Sequence, residues 1–405
     1  MIWEKAKFGS LYKIDSRNGL TKPSKVRGEG YKMINMGELF SYDRIYDIPM
    51  ELVPLKDSEK INAKVEAGDL LFARQSLVLE GAGKCSIVME TSDLTVFESH
   101  IIRVRLKSEE NPLFYYYYFK SPLSPVSTIV SQCAQAGIRG SDLSNLEVIC
   151  PSRDIQDKTV DILSAYDDLI ENNQKQIKLL EEAAQRLYKE WFINLRFPGY
   201  ENVEIVDGVP EGWNINRADY YFKITIGKTP SRAEKQWFTN SGEGTPWISI
   251  SDMGETGAFA FYSKEDLTAD AIVRHNMKVV PKGSVLVSFK LTVGRVAITG
   301  DDMCTNEAIA HFYIDNDLDR AYTYCYLKNF EYDSLGNTSS ISKAINSKII
   351  KSMPFIMPTR DILERFSMIV QPILDQIEFK QITIFRLTEA RDRLLPKLMC
   401  GEIEV

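Results

Sequence analysis

The chain is poor in the residues that metal and redox sites are built from. Its 405 residues hold 3 histidines and 6 cysteines. The cysteines, at positions 85, 133, 150, 304, 325 and 400, form no Cys-x-x-Cys pair. Such scatter speaks against a zinc or disulfide framework and for reduced core thiols. No apolar run approaches the roughly eighteen residues of a membrane span. The first seven residues contain no apolar core of a signal peptide, so no membrane partner and a cytoplasmic location are expected. A GxxxxGK[ST] phosphate loop, a GxSxG elbow and an HExxH helix are all missing. Gly81-Ala82-Gly83 is too short for a dinucleotide fingerprint, and Asn111-Pro112-Leu113-Phe114 lacks the second proline of an NPPF-type methyltransferase motif. A basic excess is missing too: the formal net charge is −7. A strong nonspecific nucleic-acid binder would be basic, so any DNA contact has to come from local loops or from partners.

What the chain does have is a copy of itself. Pro151-Ser152-Arg153-Asp154-Ile155 returns as Pro358-Thr359-Arg360-Asp361-Ile362, a shift of 207. At that shift Leu163, Tyr166, Ile170, Ile177, Leu180 and Leu187 fall on Val370, Ile373, Ile377, Ile384, Leu387 and Leu394. Asn173 falls on Lys380, so even the polar interruption repeats. Leu163, Ile170, Ile177, Ala184 and Trp191 recur every seven residues, a coiled-coil period. The spacing predicts two long helices, about 154–195 and 361–399. At 1.5 Å per residue each is a rod of roughly 60 Å. A rod with one apolar seam has to bury it, and pairing the two rods through Leu163, Ile170, Ile177, Leu180 and Leu187 on one and Val370, Ile377, Ile384, Leu387 and Leu394 on the other is the simplest solution. A two-fold relation between the copies makes the rods antiparallel.

Each rod follows a globular segment of short strand-like stretches such as Leu70–Phe72, Cys85–Met89 and Ile101–Leu106. The last alternates apolar and basic residues and reads as a half-buried strand. The run Asn111 to Pro122 reads as a short aromatic helix packed on the sheet, its tyrosine hydroxyls at the edge. The expected fold is α+β: two similar α/β globules joined by two long antiparallel helices forming a coiled coil with pseudo-twofold symmetry. The expected boundaries are 1–152, 153–197, 198–357 and 358–405.

Polar and basic loops recur at matching places in both globules. In the first they supply Arg17, Lys22 and Lys25, then Arg74 and Gln75, then Arg139 and Ser141. In the second they supply Lys228, Thr229 and Arg232, then Lys290 and Thr292, then Ser340, Ser342, Lys343 and Asn346. These residue types hold phosphates and read base edges, so all sixteen are candidate DNA contacts. No residue is a candidate for catalysis or for metal binding.

Three phrases tie the chain to a known family: GVPEGW (208–213) followed by IGKTPS, EWFINLRFPG (190–199) and LLPKLMCGEI (394–403). With the globule–rod order, the chain resembles the specificity subunit of a Type I restriction–modification system. That resemblance implies that each globule is a target recognition domain for one half of a bipartite DNA sequence. It implies that the antiparallel rods measure the spacer and bind two modification subunits and restriction subunits. The chain itself would be noncatalytic, with S-adenosylmethionine, ATP and magnesium held by those partners. The alternative class is a self-contained DNA methyltransferase or nuclease.

Overall fold

A computed structural model describes residues 3–132, 136–336 and 345–405. The chain divides into two compact units, Met1–Leu169 with Leu387–Val405, and Ile170–Arg386.

The first unit is built on a five-stranded sheet in the order Tyr12–Asn18, Ile101–Leu106, Leu70–Ala73, Cys85–Val88, Arg44–Ile45. The first three junctions are antiparallel and the last is parallel. A smaller sheet places Tyr31–Ile34 between antiparallel Glu51–Val53 and parallel Thr95–Phe97. Lys5–Lys7 pairs with Glu147–Ile149, closing the globule near its two ends.

The second unit repeats these sheets, with one further strand, Phe238–Asn240, on the smaller one. Its five strands run Ile224–Ile226, Ile309–Phe312, Val285–Ser288, Val296–Thr299, Phe259–Ala260, with the same three antiparallel junctions and the same parallel edge. Thr245–Ile248 lies between antiparallel Glu265–Leu267 and parallel Cys304–Thr305. Asn214–Arg217 pairs with Pro354–Met357. Even a helix start repeats: Glu38 closes a capping box on Asn35, and Asp252 closes one on Ser249.

The strand Ile101–Leu106 differs from its expected half-burial. Five of its six residues are buried, Arg103 among them. The basic side chains find partners instead of water. Arg105 makes two 2.7 Å hydrogen bonds to the Asp69 carboxylate. Arg103 donates to the Lys64 carbonyl at 2.9 Å and lies over the Phe97 ring. At the matching place in the second unit is His311, fully buried between the hydroxyls of Thr225 (2.8 Å) and Thr305 (2.6 Å). Burial pushes this imidazole down to about 3, because a dry site disfavours its charged form.

The aromatic helix is Pro112–Lys120, started by the Asn111 side chain accepting from the Leu113 amide. All six residues from Phe114 to Phe119 are buried, as in a helix enclosed on every side. Its counterpart is Asp317–Asn329.

The long helices are Arg153–Tyr188 and Arg360–Met399. The first stops being α-helical earlier than its pattern suggests. Lys189–Ile193 forms a π-helical turn, which seats both Trp191 and Phe192 in the core. Phe192 packs on Phe366, Tyr322 and Trp213 at centroid distances of 5.0, 4.8 and 5.7 Å. In the first unit Asp167 meets Arg391, and in the second Tyr188 meets Phe366. One helix therefore rises as the other falls, and the pair is antiparallel.

The buried stripe drifts from a strict seven-residue seam. Leu163, Ile170, Val370 and Ile377 are buried, while Ile177, Leu180, Leu187, Ile384, Leu387 and Leu394 are half-buried. Some fully packed positions move one residue along, to Tyr188, Leu374 and Leu395, while Ala184, Trp191 and Leu398 keep the seven-residue spacing. A straight α-helix turns every 3.6 residues, so a stripe facing a globule drifts off the 3.5-residue seam. Asn173 and Lys380 are both half-buried.

Three of the described cysteines, 85, 304 and 325, are buried free thiols, Cys150 is half-buried and Cys400 is exposed. Among the described residues no helix is long and apolar enough to cross a membrane, and no cluster could hold a metal ion.

Candidate nucleic-acid interface

Backbone hydrogen bonds stitch the three candidate loops of the first globule around the turn Glu98-Ser99-His100. The Leu20 amide donates to the Phe97 carbonyl at 2.8 Å, and the Ser99 amide donates back to Leu20 at 3.0 Å. The Arg74 amide donates to His100 at 2.7 Å, and the Ile138 amide donates to Arg74 at 3.0 Å. Gln75 pairs with Gly137 in a short ladder. Residues from three separate stretches thus form one continuous edge beside the five-stranded sheet.

The second globule is stitched in the same way. The Lys228 amide donates to Thr305 at 2.9 Å, Phe289 to Ala308 at 2.9 Å, and Ile345 to Phe289 at 3.0 Å. One glycine in each loop makes this approach possible. A Cβ on Gly19 would lie 2.0 Å from the Phe97 carbonyl oxygen, and one on Gly227 would lie 2.1 Å from that of Asn306. No side chain fits there.

The candidate side chains fall into three groups. Arg17, Lys25 and Arg139 are exposed and have no hydrogen bond or ion pair among the described residues. Ser141 is exposed in an open groove with Lys7, Ser16 and Asn145. Others are held by the protein. Lys22 pairs with Glu59 at 2.8 Å, and Arg74 is half-buried with a 3.4 Å contact to the Ser99 carbonyl. Lys228 donates to the His275 carbonyl at 2.6 Å, and Thr229 donates to Glu307. Arg232 lies over the Phe238 and Trp247 rings and pairs with Glu265. Asn346 spends its side-chain oxygen on the amides of Lys348 and Ile349, capping a helix; Arg139 occupies the matching position before Gly140–Asn145 without capping it. Lys290 sits beside the Phe289 ring, and Thr292 is exposed. Ser340, Ser342 and Lys343 lie outside the described residues.

Sequence reasoning did not single out the central turns, Phe97–His100 and Thr305–Ala308. Their signal was available: each immediately precedes a sheet strand, and each is answered at a shift of 208.

Each globule is also bolted to the helices. In the first unit the Tyr117 hydroxyl donates to one Asp167 oxygen at 2.7 Å, and Arg391 donates to the other at 2.5 Å. Burial lowers the basicity of Arg391, but the Asp167 hydrogen bond and charge outweigh it and hold the guanidinium above its usual value. Arg44, on the edge strand, pairs with Asp168 at 2.6 Å. In the second unit the amide of Gln381 both donates to and accepts from the backbone of Phe259, satisfying that edge strand from the second helix.

Two similar sheet globules, each with matched polar loops and each fastened to the long helices, define a recognition protein built from a repeated unit. The chain matches the Type I restriction modification DNA specificity domain over residues 2–182 and 210–385, and it belongs to that family. It is 28% identical to the Type I restriction enzyme MjaIX specificity subunit of Methanocaldococcus jannaschii over 319 residues, 72% of this chain and 69% of that one. It is 27% identical to the HindI specificity subunit of Haemophilus influenzae over 328 residues, covering 64% of this chain and 70% of that one. The crystal structure of the Type I restriction–modification S subunit from M. genitalium shares the fold. Its TM-score is 0.60 at 15% identity, covering 98% of this chain and 96% of that one. The chain is a DNA-recognition subunit, not an enzyme.

Proposed function

We propose that the two globules, residues 1–152 and 198–357, each read one half of a bipartite double-stranded DNA sequence, and that the paired helices set the unread gap. The observation that carries this reading is the repetition of the three-loop stitch. Two copies of one polar edge, with different side chains at matching positions, suit two different half-sites. Among the described residues the exposed cations Arg17, Lys25 and Arg139 suit phosphate or guanine contacts.

The helices dock two modification subunits, and restriction subunits join that assembly. S-adenosylmethionine, ATP and magnesium belong to those partners, and the complex works in the cytoplasm. An acidic chain, with net charge −7, is consistent with partners that share the phosphate contacts. Co-expression with a modification subunit, followed by genome-wide mapping of methylated adenines, tests the reading. A gapped two-part motif is the expected result. A continuous motif contradicts it.

A further inference from the structure

The strand Ile309–Phe312 of the second sheet buries a histidine where an apolar residue would pack at less cost. His311 is fully buried. Its Nδ1 meets the Thr225 hydroxyl at 2.8 Å, closer than that hydroxyl's other partner, the Tyr313 hydroxyl at 3.3 Å. Its Nε2 meets the Thr305 hydroxyl at 2.6 Å. The Thr305 hydroxyl donates in turn to the Asn306 carbonyl at 3.1 Å. Burial keeps the ring neutral, so it carries one N–H. With the Thr305 hydrogen directed at Asn306, Nε2 has to donate and Nδ1 has to accept from Thr225. The result is a one-way chain of hydrogen bonds from the edge strand Ile224–Ile226, through the ring, to the Asn306 carbonyl.

That chain ends in the turn from which the loops of the second globule hang. Thr305 accepts from the Lys228 amide, Ala308 accepts from the Phe289 amide, and Glu307 accepts from the Thr229 hydroxyl. Gly227 passes so close that a Cβ there would lie 2.1 Å from both the Thr305 hydroxyl and the Asn306 carbonyl oxygen. A small shift of the turn would therefore carry Lys228, Thr229 and Lys290 with it. The first globule answers with a different side chain at the same register. Arg103 stands opposite Arg17 as His311 stands opposite Thr225. Its guanidinium lies 5.8 Å from the ring centroid of Phe97, the residue that matches Thr305. Both sheets thus aim a buried polar side chain at the base of the central turn. Such groups, once satisfied, rigidify their surroundings and specify one arrangement.

We propose that His311 is a positioning residue for the half-site read by the second globule: by joining Thr225 to Thr305 it holds the Thr305–Ala308 turn, and with it Lys228, Thr229 and Lys290, in the one arrangement that reads bases. This rests on the reading that the globules recognise DNA. Two variants separate positioning from bulk stability. The amide of His311→Gln falls near the Nε2 position and reaches Thr305, while that of His311→Asn falls near the Nδ1 position and stops at Thr225. Affinities are measured in the complex with the modification subunit, on duplexes of the mapped sequence with each base pair of either half changed in turn. The ratio of matched to mismatched affinity does not depend on how much of the protein is folded. His311→Asn should shrink that ratio roughly tenfold in the half assigned to residues 198–357, the scale of one lost base contact. His311→Gln should recover most of it. The ratio in the other half should stay as it was in both variants.

Unchanged ratios in both variants reduce His311 to a packing residue and overturn the proposal, while the two-reader account stands. An equal loss in the two variants, or in the two halves, overturns it as well. If His311→Asn fails to fold, Thr305→Val decides, since valine fills nearly the same volume and cuts the same bond. A ratio narrowed in one half then supports positioning, and an unchanged one refutes it. Absence of any preference for the matched duplex in the unaltered complex defeats both accounts.

Discussion

Replacing Arg391 with methionine tests how the first globule is fastened to the helices. Arg391 reaches Asp167 at 2.5 Å, and the two side chains are only 18% and 7% exposed. The substitution keeps most of the aliphatic stem and removes the charge. Asp167 would then be a nearly dry carboxylate with the Tyr117 hydroxyl as its remaining partner. Two unit charges about 4 Å apart interact by about 4 kcal/mol at the effective dielectric of a half-buried site. Stripping one member of a buried pair costs about 3–5 kcal/mol. The loss should be local, because the first unit holds all three residues. Hydrogen exchange reads it best: protection across Pro112–Lys120 and across residues 391–399 should fall roughly hundredfold or more, while strands of the second unit stay unchanged. Adding Asp167→Asn should restore most of the protection, since the amide still accepts from Tyr117 and carries no charge. Equal protection in Arg391→Met and the unaltered chain, or a double variant no better than the single one, would refute the reasoning.

Further outcomes follow from the same geometry. His311 sits at about 3 when folded, against roughly 6.5 unfolded. The unfolded chain therefore takes up a proton the folded one refuses, and the second unit loses stability as pH falls from about 6.5 toward 3, by about 2–3 kcal/mol at pH 4.5. Urea titrations across that range should show the slope, and His311→Gln should flatten it. Gly19→Ala and Gly227→Ala each force a Cβ onto a backbone carbonyl. Each should disturb recognition of one half-site, read as a selective loss of information in one half of the methylated motif. Leu374, fully buried in the helix stripe, should cost about 2–5 kcal/mol as alanine, measured by denaturation of the second unit. Arg139→Ala, on an exposed side chain, should leave stability unchanged and weaken specific DNA binding by about 1–3 kcal/mol if it reads a base.

The repeat was legible because duplicated positions preserve chemistry that depends on the fold. The apolar ladder, the glycines of the two loops and the PSRDI and PTRDI helix starts all stand in register. The helix length was legible as well, since Arg360–Met399 matches the expected span within a residue. Other features depend on partners far away in the chain. Asp167 looks like any acid on a helix face until the fold sets Tyr117 and Arg391 against it. The alternation in Ile101–Leu106 suggested one wet face, but Asp69 and the Lys64 carbonyl take the arginines inside. The π-helical turn at Lys189–Ile193 follows from packing Trp191 and Phe192 together, which periodicity alone does not encode. In the candidate interface, sequence showed which loops recur, whereas the turns that bind them together emerged only from the hydrogen bonds of Phe97–His100 and Thr305–Ala308.

Exchanging residues 198–357 for the matching segment of a related subunit, then mapping methylated adenines, tests the two-reader account most directly. One half of the motif should change while the other half and the gap length stay as they were. A motif changed in both halves, or in neither, would contradict it.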